Sequence, residues 1–245
     1  MDAYLNWSGG KDAAFALWQL RQTGGYQIRS LFTTFSGAFR RVSMHGVREE
    51  LLDEQARLAG LPVKKAFLPE HASMEDYNRI MKEALEEFQA SGVRHAVFGD
   101  IFLEDLRAYR EIQLEQAGMK GVFPLWKRDS AALAREFIAA GFKAVIVCVN
   151  AKYLPASFAG RLIDESFLAD LPPGVDPCGE NGEYHSFVFD GPLFSEAVPF
   201  TIGETVERTY TPAGDQGDNC YKDDKKEKET VNWDTRFYFC DLLPA

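Results

Sequence analysis

Cysteine is scarce in this chain: four among 245 residues, at positions 148, 178, 220 and 240. Scattered in this way, they form neither a zinc-binding spacing nor a disulfide framework, so a reducing cytoplasm is the expected location. No apolar run approaches the roughly 18 residues that a membrane-crossing helix needs, and the first residues lack the layout of a signal peptide. Positive charge is also in deficit, with 27 Lys and Arg against 37 Asp and Glu, a net −10. Extensive nucleic acid binding, which rests on neutralised phosphates, is therefore not expected; a local basic cleft is compatible with such a total. Internal repeats are absent. The remaining composition, 46% hydrophobic and 26% charged, is that of a soluble globular protein long enough to bury a sizeable core.

Two well-known glycine patterns are missing as well. The stretch Trp7-Ser8-Gly9-Gly10-Lys11-Asp12-Ala13 has neither the spacing and Lys-Ser/Thr ending of a Walker loop nor the third glycine of a dinucleotide fingerprint. What it does have is position. The apolar Ala3-Tyr4-Leu5 precedes it as a strand, and Ala13, Ala14, Ala16, Leu17 and Leu20 follow at helical spacing. Glycines in such a turn bring backbone amides close to an anion, where the helix dipole is also favourable. Ser8 adds a hydroxyl, Lys11 a mobile positive charge, and Asp12 a carboxylate that can face a metal ion. The plainer alternative is an ordinary turn with Asp12 as a helix cap.

Strands and helices then alternate. Strands are expected at Ile28 to Phe35, ending in Thr33-Thr34, at Val63 to Phe67, at His95 to Phe98 before Gly99-Asp100 and at Ala144 to Val149, with the stretch Val122 to Trp126 between the last two. Helices are expected after Val47, after a Ser73 cap, from Glu104 to Ala117 and after a Ser130 cap. This order predicts an α/β fold with a parallel sheet wrapped by helices on both faces, over residues 1–150. Ligands of such folds bind beyond the carboxyl ends of the strands, where Ser8 to Asp12, Thr33-Thr34 and Asp100 all fall. From 151 to 245 the pattern becomes β-rich, which predicts a smaller α+β domain, with Val231 to Cys240 pairing with Thr205 to Tyr210. Lys222 to Glu229, with four lysines and four acids, reads as a neutral solvated run.

A second cluster lies at Cys178-Gly179-Glu180-Asn181-Gly182-Glu183-Tyr184-His185-Ser186-Phe187, where two carboxylates, an imidazole and a hydroxyl fall within seven residues. It is either an exposed acidic turn or a site that binds a metal, ammonia or a cationic group. Taken in order, Ser8-Gly9-Gly10-Lys11-Asp12, His45-Gly46-Val47, Phe98-Gly99-Asp100-Ile101 and Gly179 to His185 resemble the diphthine–ammonia ligase family of PP-loop ATP pyrophosphatases. The resemblance spans residues 1 to about 200, and Ala13 stands where the family's loop has a serine.

That resemblance implies an adenine nucleotide alpha hydrolase-like fold and an ATP-dependent amidation. A carboxylate attacks the α-phosphorus of ATP, pyrophosphate leaves, and ammonia then displaces AMP. Ser8, Gly9, Gly10, Lys11, Asp12 and Ala13 would hold the pyrophosphate, with Thr33, Thr34, His45, Gly99 and Asp100 around the nucleotide. Asp12 and Asp100 would face Mg²⁺, while Glu180, Glu183 and His185 line the substrate or ammonia pocket. The implied substrate is diphthine of translation elongation factor 2 where the source makes it, and otherwise a small carboxylate, for instance one of corrinoid metabolism. Competing readings are a transfer-RNA-modifying enzyme, with Cys178 as a sulfur carrier, and a nucleotide-binding regulator. Homodimerisation stays open. As plain alternatives, His45 is a packing residue, and Arg107 with Arg110 is a solvated helix face.

Overall fold

The computed structural model describes residues 1–70, 72–210 and 235–245; Cys220 and the charge run 222–229 lie outside the described residues. Strand β1, Asp2–Asn6, is the axis of the first sheet, and its Ala3, Tyr4 and Leu5 are wholly buried on both faces. Such a run belongs at the centre of a parallel sheet. β1 pairs with β2, Gln27–Ser36, on one side and β5, His95–Val97, on the other. Outside these lie β4, Val63–Leu68, against β2, and β6, Lys120–Val122, against β5, all parallel. The two-residue β3, Arg41–Val42, runs antiparallel against the end of β2.

Side chains alternate across this sheet and build a core on each face. Tyr4, Phe32 and Ala96 pack under helices α3, Met74–Ala90, and α4, Glu104–Gln116, with Tyr4 stacked on Phe88 at 4.1 Å. Burying side chains of this size stabilises the fold by roughly 1.5–3 kcal/mol each. Ala3, Leu5, Leu31 and Val97 face the other way, under α1, Lys11–Thr23, and α2, Glu49–Leu58. Ser73 caps α3 in a full capping box, as its sequence predicts. The cap of α5, Ser130–Ala139, is Asp129 instead of Ser130: its carboxylate accepts from Ala132 N.

The second sheet is antiparallel, in the order β8-β7-β10-β9. It comprises β7, Lys143–Asn150, β8, Tyr184–Asp190, β9, Phe200–Tyr210, and β10, Thr235–Pro244. A short helix α6, Glu165–Asp170, precedes β8. The expected pairing of the C-terminal strand with Thr205 to Tyr210 is present along β9. β7 departs from its expected place: it joins this sheet, between β8 and β10, and not the parallel one. Seven of its eight residues are buried, and a fully buried run reads alike in either kind of sheet. Sheet membership thus changes between Val122 and Lys143, ahead of the boundary at 150 that the sequence suggests. One continuous core joins α1 and α2 to residues of β7, β8 and β10. Among the described residues, no helix is long and apolar enough to cross a membrane.

Candidate active site

The first crossover begins where β1 ends. Gly10 is the N-cap of α1 and supplies no side-chain cap, so the first N–H groups of the helix remain for other partners. Gly9 has φ +78°, a left-handed conformation that suits glycine. Its carbonyl accepts from Val188 N and from Gln55 Nε2, both at 2.9 Å. Gln55 is fully buried; its Nε2 also donates to Val188 O at 2.6 Å, and its Oε1 accepts from Trp7 Nε1 at 2.7 Å. A single amide therefore ties the glycine loop, α2 and β8 together. Lys11 N completes the seam by donating to Ser186 Oγ at 3.2 Å.

Lys11 is 4% exposed. Its ammonium donates to both Asp12 carboxylate oxygens, at 2.9 and 2.8 Å, and to the Cys178 carbonyl, and lies 5.4 Å from the centre of the Tyr184 ring. Burial works against this charge, but Asp12 outweighs it and holds the ammonium protonated far above neutral pH. A cavity of about 440 Å³ opens over the loop. Ser8, Gly10, Lys11, Asp12 and Ser186 form its polar floor, and Phe32, Met81, Phe98, Leu103 and Leu106 give it an apolar wall. A space of this size, with polar and charged groups converging opposite an apolar wall, suits a small polar ligand.

Glu180 reaches the same cavity from the C-terminal half, its Oε1 accepting from Ile101 N at 2.7 Å. Burial, and after it the charge of Asp12, lifts its carboxyl to about 7, so it exchanges a proton near neutral pH. His45 and His185 lie beside the loop with ring centres 4.5 Å apart and their planes tilted by 32°. Burial, assisted by Lys11, pushes His45 down to about 4, and burial with His45 and Lys11 pushes His185 well below its ordinary range. Both rings are neutral at pH 7. Asp100 pairs with Arg110 through two contacts, at 2.9 and 3.2 Å, and that guanidinium lies 4.3 Å from the Phe98 ring centre.

The turn that carries His45 is anchored by β10. Asp241 accepts from Arg41 Nη1 at 2.8 Å and from Arg48 Nη2 at 2.6 Å, while Arg41 Nη1 also donates to the Gly46 carbonyl at 2.7 Å. Phe239 sits where a Cβ on Gly46 would be, 2.8 Å from its Cδ1. Burial opposes the Asp241 charge, but hydrogen bonds from Arg48 and Arg41 prevail and hold the carboxyl at about 2. A depressed carboxyl stabilises the fold above its ordinary value near 4 and loses that contribution as the pH falls through about 2. Asp241→Asn is therefore expected to lower the melting temperature at pH 7, with the gap to the parent protein closing as the pH drops from 4 towards 2. Thermal unfolding across that range checks it; a gap independent of pH would contradict the assignment.

Two family models match the chain: the diphthamide synthase N-terminal domain over residues 1–121 and the diphthamide synthase C-terminal domain over residues 129–212. The chain belongs to the diphthamide synthase family. Its curated relatives include proteins named diphthine–ammonia ligase. The zebrafish protein, Danio rerio, is 29% identical over 240 residues, which cover 84% of this chain and 90% of the relative. The human protein is 26% identical over 224 residues, covering 81% and 82%, and the mouse protein 32% over 138 residues, covering 54% and 51%. The glycine loop falls within the N-terminal match to the diphthamide synthase family and Glu180 within the C-terminal one, while β10 lies beyond both.

Twelve of the fourteen residues expected from sequence line the cavity together: Ser8, Gly10, Lys11, Asp12, Ala13, Thr33, Thr34, His45, Gly99, Asp100, Glu180 and His185. Gly9 does not, because its carbonyl is turned into the seam with β8. Glu183 does not either, which corrects its assignment to the substrate pocket. Only 1% exposed, its carboxylate accepts from Asp176 N, Asn181 N and Asn181 Nδ2, each at 3.0 Å, and so shapes the loop from within. Of the expected Mg²⁺ ligands, Asp12 is paired with Lys11 and Asp100 with Arg110. No group of three His, Cys, Asp or Glu among the described residues is arranged to hold a metal.

Cys178 is buried, its thiol pushed up to about 12 by burial, and its Sγ donates to Ser130 O at 3.3 Å. A thiol so far from ionisation is a poor sulfur carrier. Arg110, read from sequence as part of a solvated face, belongs to the cavity wall instead. Ser43 and Tyr184 were not singled out from sequence. Tyr184 is recognisable only as a neighbour of His185, since its role comes from the Lys11 ammonium on its ring.

Proposed function

We propose that the protein is an ATP-dependent ligase that activates a carboxylate and joins ammonia to it. The observation that carries this reading is that one cavity is walled both by the glycine loop with its charged Lys11 and by the segment from Gly179 to Ser186. The names of the relatives supply the reaction class. ATP enters as a substrate, its outer phosphates against the amides at the start of α1 and the Lys11 ammonium, its base towards the apolar wall. Attack by a carboxylate oxygen on the α-phosphorus breaks the bond to the β-phosphate oxygen, giving an acyl-adenylate and pyrophosphate. Fixed amides and Lys11 stabilise the charge that builds on the leaving group. Ammonia then attacks the acyl carbon, AMP leaves with the bonding pair, and the surplus proton passes to Glu180. No step is assigned to protein-bound Mg²⁺, since both candidate carboxylates are engaged by cations.

Incubation with ATP, ammonium and either diphthine-bearing elongation factor 2 or a panel of small carboxylates tests the reading. AMP and pyrophosphate should form only when ammonium and the correct carboxylate are both present. ADP as the product would defeat it. Glu180→Gln is expected to slow amide formation by about 10²- to 10⁴-fold, the usual worth of a general base, while the KM for ATP stays within about twofold. With free ammonia held constant across the series, the parent rate should climb as pH rises through about 7, where Glu180 ionises, and the variant should lose that climb. A pH profile unchanged by the substitution would remove Glu180 from the mechanism.

A further inference from the structure

The chemistry above uses neither imidazole of the cavity. His45 rides on a tight turn in which Met44 and Gly46 take φ +63° and +71°. Its Nε2 lies 3.1 Å from the point a Cβ on Gly10 would occupy, so the ring overhangs the glycine loop. With Nδ1 facing the Ser43 carbonyl at 3.4 Å as donor, Nε2 is left as an acceptor. His185 lines the same cavity, in tilted contact with His45, and its Nε2 is buried with no hydrogen-bond partner. A polar atom left unpaired in that way is costly, and a ligand that satisfies it recovers the cost.

We propose that His45 and His185 are direct ligands of the outer phosphates of ATP, and of inorganic pyrophosphate, and that the pair takes up a proton as the anion enters. The proposal rests on the ligase reading only for placing a polyphosphate at the glycine loop. A neutral imidazole offers Nε2 as an acceptor, which phosphate oxygens cannot use; an imidazolium donates from both nitrogens. Lys11 acts on both rings and His45 on His185, each favouring the neutral form, while the Ser43 carbonyl favours a charged His45. Burial favours neutrality as well. A multiply charged anion between the rings and Lys11 reverses that field, since opposite charge within a few ångströms favours the protonated form. Lys11 is already charged and paired with Asp12, so the groups whose charge can follow the ligand are the two imidazoles and Glu180, which the histidine variants tell apart.

The test is calorimetric titration of inorganic pyrophosphate into the full-length protein at pH 7, in two buffers with different ionisation enthalpies. Net proton uptake is expected, with affinity falling as the pH rises from 6 to 8. His45→Gln and His185→Gln should each weaken pyrophosphate about tenfold and reduce the uptake, while AMP, which lacks the outer phosphates, binds as before. Thermal unfolding of each variant establishes that it is folded. Uptake that persists undiminished in both variants belongs to the anion itself or to Glu180 and overturns the proposal, as does wild-type affinity in either variant or a parent protein that ignores pyrophosphate. The pH dependence of the parent protein alone keeps the proposal refutable if a variant does not fold. The ligase reading fails on a different readout, the absence of carboxylate-dependent AMP, so failure of one is distinguishable from failure of the other.

Discussion

Lys11→Met is expected to reduce carboxylate-dependent AMP formation by at least about 10²- to 10³-fold, the loss seen when one preorganised charge-stabilising group is removed. Two effects combine. The ammonium is the fixed positive charge on the floor of the cavity, and a departing pyrophosphate loses its main counter-charge without it. The substitution also leaves Asp12 without its partner; breaking a fully buried ion pair from one side costs about 3–5 kcal/mol, and the Asp12 side chain, 29% exposed, loses less than that. A drop in activity alone would not separate chemistry from folding. The double variant Lys11→Met with Asp12→Asn does so, because it removes the orphaned charge. It should regain most of the lost thermal stability and none of the lost turnover. Recovery of AMP formation in the double variant would show that Lys11 serves the fold and not the phosphates.

Gly99→Ala should be nearly as damaging, although it adds a single methyl group. A Cβ at this position would lie 2.8 Å from the carbonyl carbon of Asp12 and 2.9 Å from Ala13 N. Those are backbone atoms of the first turn of α1, so no side chain can swing aside. The helix start itself must move. Overpacking of this kind costs about 1–3 kcal/mol of stability. Displacing reacting groups by an ångström costs on the order of 10²-fold in rate. Loss of turnover with only a modest fall in melting temperature is therefore the expected pattern. Pyrophosphate affinity should fall with turnover, because the moved amides are those facing the phosphates. A Gly99→Ala protein with parental kinetics would mean that the first turn of α1 is not where the nucleotide is held.

Much of this site is legible in the sequence because it depends on local order. A strand, two glycines and a helix fix the crossover whatever surrounds it, and Thr33, Gly99 and Asp100 follow from the ends of parallel strands. Other features depend on partners far along the chain. Glu183 is the same residue type as Glu180 three residues earlier, yet one serves three donors of its own loop and the other faces the cavity. The turn decides which, and spacing does not reveal it. Asp12 and Asp100 read as metal ligands for a similar reason: that their cation partners are Lys11 and Arg110 emerges only once α1 and α4 are in place. The sheet to which β7 belongs is hidden because its apolar run describes burial without naming the neighbours that provide it.

The Gln55 amide has a bearing on how this protein can be divided. It bonds to Trp7, Gly9 and Val188, so the ends of the chain matched by two separate family models share one small polar group in the interior. Expressed without residues 129–245, the N-terminal half would leave the Gly9 oxygen short of a donor and the loop free to relax. Trp7, Gly9 and Gln55 travel together in the N-terminal half, and β8 contributes to these bonds only the main chain of Val188. Exchanging halves between relatives should therefore keep them wherever the path of β8 is kept.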